Sequence, residues 1–409
     1  NFNLEIKSYY KPKININNYN DDYNNIVKKV KNEVIGSIKK RMIADVDVAA
    51  FLSGGIDSSI IVSMMSKISD KKINTFSLVH EQSGYDESYY SDLISDQYKT
   101  NHYKVRIGKE ELIANVSEAL NSFDSPSADG LNSYMVSKKI KEHGIKVAIS
   151  GLGGDELFSG YPQFKYWYIL NRLNFLIPRK LLSILLTNVN KKNYFLFKLF
   201  NIISSNNNNF QVNDIFRNIT GHLGKDVFNG HFKTEHEESS FEENNNSNYL
   251  ISQYTIAELL GYTSNVLLKD ADQTSMANSV EVRVPFMDHE LVNYILSLAD
   301  KFKKPIYSKK LLIDTFKEYL PNEVYNRKKQ GFNVPTDLWM KDELHDLSNK
   351  NIEIVCDSNL FNKDYIHELW NDYNDNNNFK NGTLIWSFVV LGNWINKNNI
   401  YNNQSVSNK

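Results

Sequence analysis

The chain of 409 residues carries a formal net charge of -1, 41% hydrophobic and 12% aromatic residues, and a single cysteine, Cys356. That length fits two ordinary domains with real cores or one large one, and the near-neutral balance supplies no global field for nucleic acid or a membrane surface. One cysteine excludes an internal disulfide and any cysteine-built zinc site, and no nucleophile elbow surrounds it, so it reads as a structural thiol.

There is no uninterrupted apolar run of about 18 residues and no basic-then-apolar leader, which makes the cytoplasm the expected compartment. The opening "NFNLEIKSYYKPK" begins at Asn1 rather than a methionine and starts neither a helix nor a strand. Residues 1–24 are therefore expected to be a connector in the latter part of a longer chain.

In chain order, Ile26, Val27, Val30, Val34, Ile35 and Ile38 recur at three and four, the stripe of an amphipathic helix. "VDVAAFL" is a buried strand, and after a glycine turn "IDSSIIVSMMSKI" resumes helical spacing. "INTFSLV" and "HYKVRI" read as strands, with "DESYYSDLISDQYK" and "KEELIANVSEAL" as the helices after them. "SYMVSKKIKEHG" is a helix stopped by Gly144, and "KVAIS" is the next strand. Such alternation predicts an α/β fold, a parallel sheet with helices on both faces, over residues 25–165. From about Tyr161 the strand signal ends. A helical insertion with Asn-rich loops is expected over 166–250, a helical part completing the site over 251–395, and a polar tail over 396–409.

Two motifs follow strands. In "FLSGGIDSS", Ser53, Gly54 and Gly55 let backbone N–H groups approach an anion at a helix N-terminus. With no loop lysine, that anion reads as a pyrophosphate held by amides, Ser53, Ser58 and a metal on Asp57, because Mg²⁺ takes one or two carboxylates plus phosphate oxygens. "SGLGGDELFSGY" repeats the logic with the acidic pair Asp155 and Glu156. Both loops leave carboxyl ends of parallel strands, so Asp57 and Asp155 are expected to flank one Mg²⁺-pyrophosphate.

"SGGIDSS" resembles the pyrophosphate loop of the N-type ATP pyrophosphatases. "SGLGGDELFSGYPQF", "LLKDADQTSMANSVEVRVPFMDHELV" and "NRKKQGFNVP" narrow the resemblance to the asparagine synthetase family over roughly residues 25–395. The resemblance implies an adenine nucleotide alpha hydrolase-like fold with ATP and Mg²⁺ as cofactors. A small-molecule carboxylate would become an acyl-adenylate with release of pyrophosphate, and ammonia would attack it. It implies pyrophosphate on Ser53, Gly54, Gly55, Asp57 and Ser58, and adenosine near Phe51, Leu52, Ser77, Ser150 and Gly151. Lys329 would stabilise charge during adenylation, with Lys309 as a second candidate beside its reading as a solvated helix lysine. Glu281 is placed at the acyl site or, alternatively, in an ion pair with Arg283, while Asp270 and Asp272 are expected to cap or brace a helix.

Where the family usually has a glutamate for acid–base work, this chain has Leu152, which moves no protons. The acceptor is therefore open: aspartate, or an acid of a sugar or natural-product pathway, with Asp129, Asn132 and Ser133 near it unless the last two cap a helix. No cysteine precedes Cys356 to serve as a glutaminase nucleophile. Ammonia would come from a missing glutaminase domain, a partner or solution. An intramolecular cyclase of the β-lactam synthetase or lasso type and a non-catalytic nucleotide-binding module are the alternatives. Neither nucleic acid nor membrane is an expected partner, and a homodimer is allowed.

Overall fold

The computed structural model describes residues 7–17, 21–80, 87–176, 249–327, 335–376 and 381–400. Its sheet runs β3-β2-β1-β4-β5, with β1 at Val48–Phe51, β2 at Asn74–His80, β3 at Asn101–Ile107, β4 at Val147–Ile149 and β5 at Glu281–Arg283. All four pairings are parallel. The four strands expected from the sequence form; β5 was not expected. Three residues inside a helical stretch carry no periodicity, and β5 exists because β4 offers it an edge, aligning Val147 with Glu281 and Ile149 with Arg283.

Period-2 alternation sends neighbouring residues to opposite faces. Ala49 and Ala148 join a core with the helices Lys109–Asn121, Leu131–Glu142, His345–Asp357 and Gly382–Lys397. Ala50 and Ile149 join a second core with Tyr23–Met42, Ile56–Ile68 and His289–Ser297. Helices thus cover both faces, as parallel sheets require. The Tyr23–Met42 stripe buries Ile26, Val30, Val34 and Ile38. Gly144 takes φ +74°, and Ile145 N–H reaches back to the Ile140 carbonyl at 3.3 Å, which ends Leu131–Glu142. Among the described residues no helix is long and apolar enough to cross a membrane.

One helical run, Leu250–Met276, walls the cleft, with π winding over Leu259–Leu267 between its α-helical flanks. Its start is capped from a distance. Asp300 accepts from the N–H groups of Ile251 and Ser252 at 2.7 and 3.2 Å and from the Ser252 hydroxyl at 2.7 Å. Buried Lys303 donates to the same hydroxyl at 2.6 Å and lies 3.7 Å from Asp300. Asp300→Ala should therefore cost about 3–5 kcal/mol, because it leaves two helix N–H groups without their acceptor and a buried ammonium without its counter-charge. Asp300→Asn, which keeps acceptors, should cost clearly less; urea denaturation of both variants checks the order.

Candidate active site

The loops after β1 and β4 meet at the carboxyl edge of the sheet, on the floor of a cleft of about 980 Å³. Gly55 caps Ile56–Ile68 without a side chain, so the first helical N–H groups face the cleft mouth. Ser58 Oγ lies 3.0 Å from Ser53 Oγ and donates to the Gly55 carbonyl at 3.2 Å. Gly54 has φ +73°, and a Cβ there would stand 2.6 Å from the Ser91 nitrogen. The loops also press on each other: a Cβ on Gly151 would lie 2.8 Å from Ser58 N, and one on Gly154 2.4 Å from an Asp57 carboxylate oxygen. Glycines here serve close approach between the two loops.

Lys309 joins them. Its Nζ donates to Asp57 Oδ2 and lies 2.8 Å from Asp155 Oδ1, with the side chain 6% exposed. Burial alone would lower its pKa, but the Asp155 and Asp57 carboxylates outweigh that and hold it above the ordinary lysine value, fully charged. Its backbone sits in the left-handed region at φ +57°, ahead of the helix Lys310–Phe316. A non-glycine residue pays for that geometry, which here turns the ammonium inward. The reading of Lys309 as a solvated helix lysine is thereby corrected.

One cation thus reaches both Asp57 and Asp155. Hard carboxylate oxygens on two adjacent loops beside amide donors suit Mg²⁺ with a phosphate, so the residues present fit that ion. Among the described residues no group of three or more His, Cys, Asp or Glu gathers to hold a metal by itself, so phosphate oxygens would have to complete the set.

Phe51, Leu52, Ser53, Gly55, Asp57 and Ser58 line the cleft, as do Ser77, Ser150, Gly151, Leu152 and Asp155. Gly54 does not line the cleft; it packs against the backbone of Tyr90 and Ser91. Asp129, Asn132 and Ser133 also line it. Asn132 and Ser133 are not the helix cap; Gly130 is, with φ +93°, and the helix begins at Leu131. Tyr262, from the π-wound wall, donates to Asp129 Oδ2 at 3.2 Å.

Glu281 is placed elsewhere. It begins β5, at the amino end of a parallel strand, on the face it shares with Arg283, whereas Val282 between them lines the cleft. Its carboxylate takes the Arg283 Nε at 2.8 Å, which is the ion-pair alternative, and Arg283 lowers its pKa. Lys329 lies outside the described residues. Arg327, just ahead of it, is bound to Glu87 at 2.6 Å and stacks 4.2 Å from the centre of the Tyr90 ring.

Several cleft residues carry no readable sequence signal for their position. Glu87 and Arg327 stand far apart in the chain. Asp270 does brace its helix, accepting from Gln273 at 3.0 Å while Gln273 takes the Asp124 N–H at 2.9 Å, but it also lines the cleft. Burial, opposed by the Ser127 hydroxyl and helped by Asp129, pushes Asp270 up to about 7. Glu156, beneath the floor, accepts from Tyr161 at 2.6 Å; burial, then Asp155 and Glu258, push it to about 7.

The asparagine synthase family model matches residues 29–396. Over 96% of this chain and 62% of its own length, asparagine synthetase (glutamine-hydrolyzing) 1 of Bacillus subtilis is 28% identical. Amidase chyE of Penicillium rubens is 25% identical over 78% of this chain and 54% of its own. A putative asparagine synthetase (glutamine-hydrolyzing) 2 of Methanocaldococcus jannaschii is 35% identical over 34% of this chain. The chain thus spans 62% and 54% of the length of the first two.

Proposed function

The chain belongs to the asparagine synthase family, and from that premise we propose that it is an ATP-dependent amide-forming ligase acting in the cytoplasm. It activates a small-molecule carboxylate as an acyl-adenylate, releases pyrophosphate and passes the acyl group to ammonia. The observation that carries this reading is the Asp57–Lys309–Asp155 bridge joining two glycine loops at the end of a parallel sheet. A kinase-like phosphate loop would bring its lysine within the loop; here the cation comes from a distant helix start and stands where pyrophosphate would leave.

Asp57 and Asp155 would hold Mg²⁺, which would neutralise charge on the departing pyrophosphate. The N–H groups opening the helix Ile56–Ile68, with the Ser53 and Ser58 hydroxyls, hold the same group from the protein side. Lys309, kept protonated by its two carboxylates, supplies fixed positive charge without reorganisation during the step. Lys329 is assigned a second cationic role. Phe51, Leu52, Ser77, Ser150 and Gly151 form the adenosine side, and Asp129, Asn132, Ser133 and Leu152 the acyl side. Ammonia arrives from a glutaminase unit, a partner or solution.

Leu152, which lines the cleft, favours one further reading, an acceptor other than aspartate or an amine within the substrate itself, since its hydrocarbon side chain cannot accept a proton from an attacking amine. Incubation with ATP, Mg²⁺, ammonium and aspartate should yield AMP and pyrophosphate, and asparagine if aspartate is the acceptor. AMP without asparagine, obtained with another acid from a panel, would assign that acid. ADP as the nucleotide product would refute adenylation.

A further inference from the structure

The turn that carries Lys309 to the cleft floor is tied down at each of its four consecutive side chains. Lys309 itself bridges Asp57 and Asp155. Ser308 Oγ donates to the Gly160 carbonyl at 2.8 Å, and the Gly160 N–H donates to the Asp155 carbonyl at 2.7 Å, so the turn is stapled to the loop that bears Asp155. A Cβ on Gly160 would collide with Asp155 Oδ1 and stand 2.5 Å from Lys309 Cε, so the staple packs directly on the bridge. Tyr307 Oη donates to Asp314 Oδ1 at 2.7 Å, and Lys310 Nζ donates to Asp314 Oδ2.

Asp314 thus grips the residues on both sides of Ser308 and Lys309. It is placed by the helix Lys310–Phe316, in which Lys310 and Asp314 stand one turn apart. The Tyr23 hydroxyl, from the start of the helix Tyr23–Met42, donates to Asp314 Oδ2 at 2.6 Å and accepts from Lys310 Nζ at 2.9 Å, which fixes the carboxylate to a second element. Burial opposes ionisation of Asp314, but hydrogen bonds from Lys310, Tyr23 and Tyr307 outweigh it and hold the carboxyl below its ordinary value. All three donors therefore keep an ionised acceptor at neutral pH. That grip matters because Lys309 sits at φ +57°, a left-handed geometry that an unrestrained lysine would leave, redirecting its side chain.

We propose that Asp314 and Ser308 are positioning residues of the reaction, holding the Tyr307–Lys310 turn in the conformation that delivers the Lys309 ammonium to both loop carboxylates. Neither has a positive charge to offer the leaving pyrophosphate. Each acts through Lys309, by removing the reorganisation that its cation would otherwise undergo on the way to the transition state. Tyr307 and Lys310 transmit the Asp314 grip to the turn, and the Gly160 carbonyl receives the Ser308 staple. This rests on the reading of Lys309 as the cation beside the leaving pyrophosphate.

Exchange of labelled pyrophosphate into ATP, measured on the full chain with a panel of amino acids and dicarboxylic acids, should lose about tenfold in kcat in Ser308→Ala and about thirtyfold in Asp314→Ala, the worth of one neutral and one charged hydrogen bond. The KM for ATP should not change. Ser308→Thr, which keeps the hydroxyl, should recover most of the rate. In a Lys309→Met background neither alanine substitution should lower the rate further, because a residue acting through Lys309 then has nothing left to position. Nitrogen-15 spectra of the lysine ammonium groups need no turnover. The unmodified chain should show a slowly exchanging Lys309 signal, assigned by its loss in Lys309→Met, that broadens or vanishes in Ser308→Ala and Asp314→Ala and persists in Ser308→Thr. Equal losses of rate with and without Lys309, a rise in KM for ATP in place of a fall in kcat, or an unchanged Lys309 signal in both alanine variants would each overturn the proposal. If the signal responds as expected and no acid supports exchange, the positioning of Lys309 stands and adenylation falls.

Discussion

Lys309→Met should lower pyrophosphate release by about 10²–10³-fold, the usual cost of removing a preorganised charge from a reacting phosphate. Lys309 is the shared partner of Asp57 and Asp155, and both carboxylates point at a floor where glycines leave no room for a compensating side chain. Without the ammonium, two like charges face each other at short range, which costs stability as well as rate. Mg²⁺ should restore much of the lost stability in the variant but little of the rate, because a metal replaces the charge between the carboxylates and not the cation beside the leaving group. Thermal denaturation with and without Mg²⁺, beside single-turnover pyrophosphate release, separates the two effects. A variant retaining more than a tenth of the rate would show that Lys309 is a structural bridge only.

Asp270→Asn should change how stability depends on pH. In the fold this carboxyl is raised from 3.8 to about 7, with burial the leading cause. A carboxyl with a raised folded pKa binds an extra proton in the folded state. Its contribution to stability is therefore intact below about pH 4, falls as pH rises through about 7 and is constant above that. The amide cannot titrate. Relative to the original chain, Asp270→Asn should gain up to about 4 kcal/mol between pH 4 and pH 8. Parallel stability profiles for the two chains over that range would mean that Asp270 is ionised in the fold.

The elements that could be read from the sequence are those whose signal is local. The strand–glycine–helix order around Ser53 and Ser150 and the Tyr23–Met42 stripe are patterns within a dozen residues, and each appears where expected. Strand β5 escaped because three residues have no period, and its parity sends Val282 rather than Glu281 toward the cleft. In "YSKKLL" the two lysines look alike. Only the left-handed turn at Lys309 and its distance from Asp57 in sequence, closed by the fold, separate the buried cation from Lys310, which pairs with Asp314 at the rim. Asp270 read as a helix brace is correct locally, yet the fold also sets it on the cleft wall beside Asp129, 141 residues away in sequence.

Exchange of labelled pyrophosphate into ATP tests adenylation itself, because it requires reversible attack at the α-phosphorus and needs no ammonia. With Mg²⁺ and the right carboxylic acid the chain should catalyse this exchange, the exchange should stop when the acid is omitted, and Asp57→Asn or Asp155→Asn should abolish it. Exchange that survives either substitution, or that proceeds equally well without any acid across a broad panel, would contradict the account.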